Sequence, residues 1–264
     1  VGCAPVSAVC DNCWSARQAH RFGGAFTSSA GKVGGTSRPY FHGNIKIRRD
    51  RFEIPWKIKK PTVFAIWNDL FHEDVPVEFI DEVMDIVMDC PRHIFLLLTK
   101  RPERYNELYD AITDDYRKNL WLGVSVEDQK TADERIPILF KTPAAKRFVS
   151  YEPAIGPVDF KNYIWHDDCD ENECDGECSL SFSGWSLDWL IMGGESGPGA
   201  RPMHPDWARS ARDQCQAAGV PFFYKQGIGD DGKFSKLPLL DGRQWKELPK
   251  LTSVTTPRQS RPRE

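Results

Sequence analysis

The chain has 264 residues, 40% of them hydrophobic and 28% charged, with a net charge of −3. That composition belongs to a globular protein with room for one large core or two small ones, and it gives no global drive toward polyanions. No apolar run approaches the roughly 18 residues of a membrane helix, and no secretory signal is visible, so no membrane partner is expected.

The first motif is the loop GCAPVSAVCDNCW, which sets Cys3, Cys10 and Cys13 in a C-x6-C-x2-C pattern. Iron–sulfur clusters and structural zinc usually take four ligands, so three thiolates on one loop point to a centre with an open position. The alternatives are zinc, with His20 as the nearest fourth ligand, or reduced thiols. Because the chain opens on Val1 and not Met, some preceding sequence is expected. Residues 23–36 are rich in Gly and Ser and read as a mobile loop. Residues 40–60 are locally basic, with Lys46, Arg48, Arg49, Arg51, Lys57, Lys59 and Lys60 among Phe41, Phe52 and Trp56. Such a mixture suits either a nucleic-acid surface or a solvated amphipathic strand across the fold.

From residue 62 onward, short apolar runs alternate with helical patterns. Residues 62–67 (TVFAIW) read as a buried strand. Residues 76–90 read as a helix with Phe79, Ile80, Val83, Ile86 and Val87 on one face, started by Pro76 and Glu78. A strand at 93–99 and a polar helix over about 102–112 follow. Next come a strand at 120–126, a helix at 132–140 and a strand at 147–151. A strand at 187–192, a helix at 204–218 closed by Gly219 and a strand at 220–224 complete the series. One more strand is expected just before the cysteine loop. Alternation of this kind predicts an α/β fold: a parallel sheet under helices, as a partial or full (β/α) barrel, with a doubly wound sheet as the alternative. Ligands bind at the C-terminal strand ends in either fold. The residues there are Asn68, Asp69, Lys100, Arg101, Ser125, Glu127, Glu152, Gly193, Gly194, Glu195 and Lys225. Together they suggest one shared polar cleft.

Six of the eight cysteines fall in two clusters, with Cys90 and Cys215 alone in helix-like segments, which argues for metal-binding thiolates in a reducing cytoplasm and against a disulfide scaffold. A second group, His166, Cys169, Cys174 and Cys178, has the spacing H-x2-C-x4-C-x3-C inside an acidic insertion at 166–186. Its surrounding carboxylates favour zinc over an anionic auxiliary cluster, with a flexible loop carrying spectator thiols as the alternative. Residues 1–249 read as a single domain, and residues 250–264 as a disordered basic tail.

The cysteine loop, with WNDLFHEDVP, LLTKRPER, LGVSVEDQ, RFVSYEPAIGPVD and MGGESGPGARPMHPDW, resembles a phage-associated family of unknown function grouped with the radical S-adenosylmethionine (SAM) enzymes. The resemblance implies a barrel of radical-SAM type in a phage or bacterial cytoplasm. It also implies a [4Fe–4S] cluster on Cys3, Cys10 and Cys13 whose open iron binds SAM, cleavage of SAM to a 5′-deoxyadenosyl radical, and an electron donor such as flavodoxin or ferredoxin. The superfamily's usual spacing is C-x3-C-x2-C, so the wider first gap requires a bulged loop. Gly193, Gly194 and Glu195 look like the superfamily's Gly-Gly-Glu element, which contacts the SAM amine. They follow a late strand, however, and Asn68 and Asp69 stand better placed for the methionine end. Ser125, Glu127 and Glu152 are candidates for the ribose hydroxyls or the amine, and Lys100, Arg101, Arg201 and Lys225 for a substrate carboxylate or phosphate. The substrate suggested is a nucleotide or DNA base, with an isomerising or modifying reaction of the thymidine-hypermodification kind. The competing functions are a zinc-containing nucleic-acid-binding protein without catalysis and an iron–sulfur redox protein.

Overall fold

The computed structural model describes residues 1–22, 27–33, 36–66, 68–108, 119–164 and 186–250, without the side chains of 27–38 and 106–108. The cysteine loop runs into a 3-10 turn at Ala8–Asn12 and then α1 (Trp14–Arg21). Residues 4–7 of the long gap between Cys3 and Cys10 are irregular chain, and the turn carries Cys10. An antiparallel hairpin follows, β1 (Thr27–Val33) with β2 (Thr36–Phe41). Much of the stretch expected as a mobile loop is therefore paired strand: Gly and Ser hid the alternation that marks one. The basic segment that follows is no strand either. It is irregular chain, a 3-10 turn at Arg49–Arg51 and the short α2 (Glu53–Lys57).

The core is a seven-stranded sheet of β3 (Val63–Ala65), β4 (Ile94–Thr99), β5 (Leu120–Val126), β6 (Lys146–Tyr151), β7 (Trp189–Gly193), β8 (Phe222–Ile228) and β9 (Phe234–Lys236). The strands lie side by side in that order, β3 to β8 parallel and β9 antiparallel. A doubly wound sheet would reverse direction at a switch point; consecutive order is the winding of a (β/α) barrel. The sheet curls but stays open, with β3 and β9 as edges. The fold is thus a partial barrel, the first of the two forms expected. At the start of the cysteine loop Val1 exchanges backbone hydrogen bonds with Lys46 at 2.7 and 2.8 Å.

Helices α3 (Val77–Asp89), α4 (Gln129–Lys141) and α5 (Pro205–Ala217) follow β3, β5 and β7. In α3, Ile80, Val83, Met84, Ile86 and Val87 are buried, the spacing of one helical face. Helix α4 opens on a capping box in which the Asp128 carboxylate accepts from Thr131 N at 2.9 Å, an arrangement worth about 1 kcal/mol. The helix expected over 102–112 is a 3-10 helix at Pro102–Leu108, and its remainder lies outside the described residues. The acidic insertion with His166, Cys169, Cys174 and Cys178 and the tail from residue 251 also lie outside them. Among the described residues no helix is long and apolar enough to cross a membrane.

Alternation along the strands places the site. On β5, Leu120, Leu122, Val124 and Val126 enter the main core beneath the helices, while Trp121 faces the concave side. There Trp121, Phe148 and Trp189 form a second cluster with Ile94, Leu96, Ile191 and Phe223. Gly123 shares this face because a Cβ would collide with the Phe148 ring. One period further on stand Ser125 and its β6 neighbour Ser150. The concave face therefore passes from an aromatic plug to a polar mouth at the C-terminal strand ends.

Candidate functional site

At that mouth is a cavity of about 650 Å³, lined by Cys3, Cys10 and Cys13 and by residues following each of the strands β3 to β8 or closing them. Of the residues expected from sequence, Asn68, Asp69, Lys100, Arg101, Ser125, Glu152, Gly194, Glu195 and Lys225 also line it. Its floor is apolar, with Leu96, Leu98, Phe148, Trp189, Ile191 and Phe223. Glu127 and Arg201 stand behind the wall and bond to its members, and Gly193 packs beneath.

The cysteine loop is held at several points. Gly43 N donates to the Cys3 carbonyl at 3.1 Å, and Arg101 Nη2 to the Ala4 carbonyl at 3.2 Å. Gly2 has a φ of +111°, and a Cβ there would collide with the Asn44 carbonyl, so only glycine fits. Burial, with Asp69 beside it, pushes the Cys3 thiol up to about 11, and burial raises Cys13 as well. His20 is exposed on α1 and does not line the cavity. Among the described residues, no three His, Cys, Asp or Glu side chains converge closely enough to hold one metal ion. The three thiols line the same cavity.

Each acid at the mouth is held by its neighbours. Asp69 accepts from Thr99 Oγ1 at 2.7 Å, Arg101 Nη1 at 2.8 Å and Phe71 N at 3.0 Å. Glu152 accepts from Lys225 Nζ at 2.9 and 3.0 Å and from Gln226 Nε2 at 3.0 Å. Lys225 also stands 5.9 Å from the ring centroid of Trp14, an indole 54% exposed at the lip. Glu127 bonds to Lys100, to Ser7 Oγ at 3.1 Å and to Arg135 Nη1 at 3.2 Å. Glu195 accepts from Asn12 Nδ2 at 3.0 Å, from Arg201 N at 2.8 Å and from the Arg201 guanidinium. Burial would raise the Glu195 carboxyl, but these hydrogen bonds outweigh it and hold the group below its ordinary value.

The glycines at the end of β7 serve packing as much as access. A Cβ on Gly193 would stand 3.2 Å from both Gln226 Cγ and Glu152 Cδ, and one on Gly194 3.3 Å from Met203 Cβ. In the basic segment the three arginines and Lys57 are paired, while Lys46, Lys59 and Lys60 are in none of these ion pairs. Arg48 is paired with Asp50, Arg49 with Glu82, Arg51 with Asp50 and Lys57 with Glu53.

Sequence reasoning missed Ser7, Asn12, Trp14, Arg17 and Arg135. Asn12 and Trp14 flank Cys13, so motif position alone would have flagged them. Arg17 and Arg135 face away from any strand end in sequence and reach the site only through helix packing.

No curated protein matches the chain. Among solved structures, a mutant of spore photoproduct lyase aligns over 87% of this chain and 64% of its own, at 14% identity and a TM-score of 0.38. The chain thus spans less than two thirds of that protein's length, and so distant a likeness carries no argument about chemistry. Residues 1–249, covering the cysteine loop, the barrel and every strand end of the cavity, match the family described as "Protein of unknown function (DUF5131)", and the chain belongs to that family.

Proposed function

We propose that this chain is a radical SAM enzyme, with a [4Fe–4S] cluster on Cys3, Cys10 and Cys13 and SAM bound in the cavity those thiols line. The observation that carries this reading is convergence. Three thiols of one loop and the polar ends of six parallel strands open on the same cavity, where such folds bind their ligands. Held by Cys3, Cys10 and Cys13, such a cluster would supply one-electron reducing power for cleavage of SAM, whose adenosyl fragment would then serve for hydrogen abstraction.

The chain's own residues bind, orient and shield. Asn68 and Asp69 at the end of β3, and the Glu152–Lys225 pair at the ends of β6 and β8, offer carboxylates and a cation to the zwitterionic methionine end of SAM. Thr99, Arg101 and Gln226 hold those groups in place, so little reorganisation accompanies binding. The plug of Trp121, Phe148 and Trp189 closes the barrel floor against water. A nucleotide or nucleic-acid base is the substrate reading. Its support moves from the basic segment, whose arginines are paired, to the cavity. There, exposed Trp14 and Leu98 present apolar surface to a planar group beside Lys225. A flavodoxin or ferredoxin supplies the electron, and His166, Cys169, Cys174 and Cys178 remain a second candidate metal site.

The test is chemical analysis after anaerobic reconstitution, followed by mass spectrometry for 5′-deoxyadenosine under reduction. The reading expects about four iron and four sulfide per chain at this site, and SAM cleavage abolished by alanine at Cys3, Cys10 or Cys13. Stoichiometric zinc on those thiols, with no iron uptake and no cleavage, would replace it with the zinc-binding alternative.

A further inference from the structure

Asn12 lies between Cys10 and Cys13 and is buried. Its amide donates to Glu195 Oε2 at 3.0 Å, and its carbonyl oxygen accepts from Arg17. Arg17, further along α1, crosses to the loop after β7. There its Nη1 donates to the Ser196 carbonyl at 2.8 Å and its Nη2 to the Pro198 carbonyl at 3.1 Å. Gly197 sits beneath this bridge with a φ of +88°, and a Cβ there would collide with Arg17 Nη1. Glu195 has a side chain 3% exposed, and each of its two oxygens already carries a donor from Arg201.

We infer that Glu195 anchors the cysteine loop: Asn12 and Arg17 latch that loop to the turn after β7. The physical reason is charge-assisted bonding shared at one buried group. A buried carboxylate whose donors come from two loops loses those bonds if the loops separate. The donors come from both sides of the joint, Asn12 from the cysteine loop and Arg201 from the strand-end loop. The carboxylate therefore fixes the separation of the two. Glu195, Asn12 and Arg17 are positioning residues. The latch rests on the proposed cluster only for its consequence, since its geometry exists in the metal-free chain.

The experiment measures iodoacetamide alkylation of Cys10 and Cys13 in the metal-free protein at fixed pH, resolved by peptide mass spectrometry. It compares wild type with Asn12→Ala, Arg17→Ala and the double variant. In Asn12→Ala and Arg17→Ala, both thiols should react about tenfold faster, as expected when a charge-assisted bond that restrains local opening is lost. The double variant should react no faster than the quicker single, because both residues serve one joint. If either alanine variant fails to fold by circular dichroism, Gly197→Ala displaces Arg17 without removing a donor and should give the same acceleration. With cluster loaded, Glu195→Gln should lose iron faster to a chelator than wild type. Alkylation rates within about twofold of wild type would overturn the latch. So would a Glu195→Gln protein that loses iron no faster than wild type. Failure of the wild type to take up iron would count against the proposed function alone, because the alkylation rates still decide the latch.

Discussion

Glu127 offers the sharpest test of how the site is built. Its carboxylate, with a side chain 2% exposed, joins Ser7 of the cysteine loop, Lys100 after β4 and Arg135 of α4. Arg135 is itself 7% exposed and donates to the Ser125 carbonyl at 2.6 Å. Glu127→Ala leaves Arg135 buried without its carboxylate. Removing one partner of a buried pair costs about 3–5 kcal/mol, because the surviving charge keeps its desolvation penalty. For a chain of this size that is a fall of about 6–20 °C in Tm. Replacing both Glu127 and Arg135 with Met should recover most of the loss, since a buried pair and an apolar pair of similar volume are close in stability. The assay is urea unfolding followed by circular dichroism, which gives ΔG from midpoint and slope. A loss below about 1 kcal/mol in Glu127→Ala, the scale of a surface pair, would show that this network is solvated and refute the reasoning.

Other outcomes follow from single contacts. Gly123→Ala drives a methyl into the Phe148 ring and should cost about 1–3 kcal/mol, read by thermal melting; Gly219→Ala, with open space around it, loses only through its positive φ. Gly2→Ala should unseat the start of the cysteine loop from Asn44, seen as faster proteolysis of the N-terminus at unchanged core stability. Glu195 has a folded pKa held below its ordinary 4.5, so its contribution is present above that value and is lost as pH falls through the folded one. Melting from pH 7 down to pH 3 should therefore show a smaller acid-induced loss in Glu195→Gln than in wild type. An equal loss in both would contradict the assignment.

The barrel was legible because its central strand is buried on both faces and its helices carry one apolar stripe, although the edge strand β3 leaves Val63 exposed where a buried strand was expected. The run LWLGVSV is buried at every position, and α3 buries residues three and four apart. The strand-end acids and bases were legible as positions but not as partners. Nothing local in the sequence tells that Glu195 meets Asn12, 183 residues away, or that Arg135 turns back from α4 onto Glu127. The hairpin β1–β2 was missed because TSSAGKV carries no apolar alternation. The basic segment shows the opposite case: its charges are conspicuous, yet Arg49 finds its carboxylate on α3, at Glu82. Charge runs announce themselves in sequence, and their neutralisation does not.

The central claim, that three thiols of one loop hold a cluster with an open iron for SAM, is tested most directly by the EPR spectrum of the reduced, reconstituted protein with and without SAM. The account predicts a [4Fe–4S] signal that shifts when SAM is added and is absent from the Cys3→Ala, Cys10→Ala and Cys13→Ala variants. A cluster signal indifferent to SAM, or a colourless zinc-loaded protein, would contradict it.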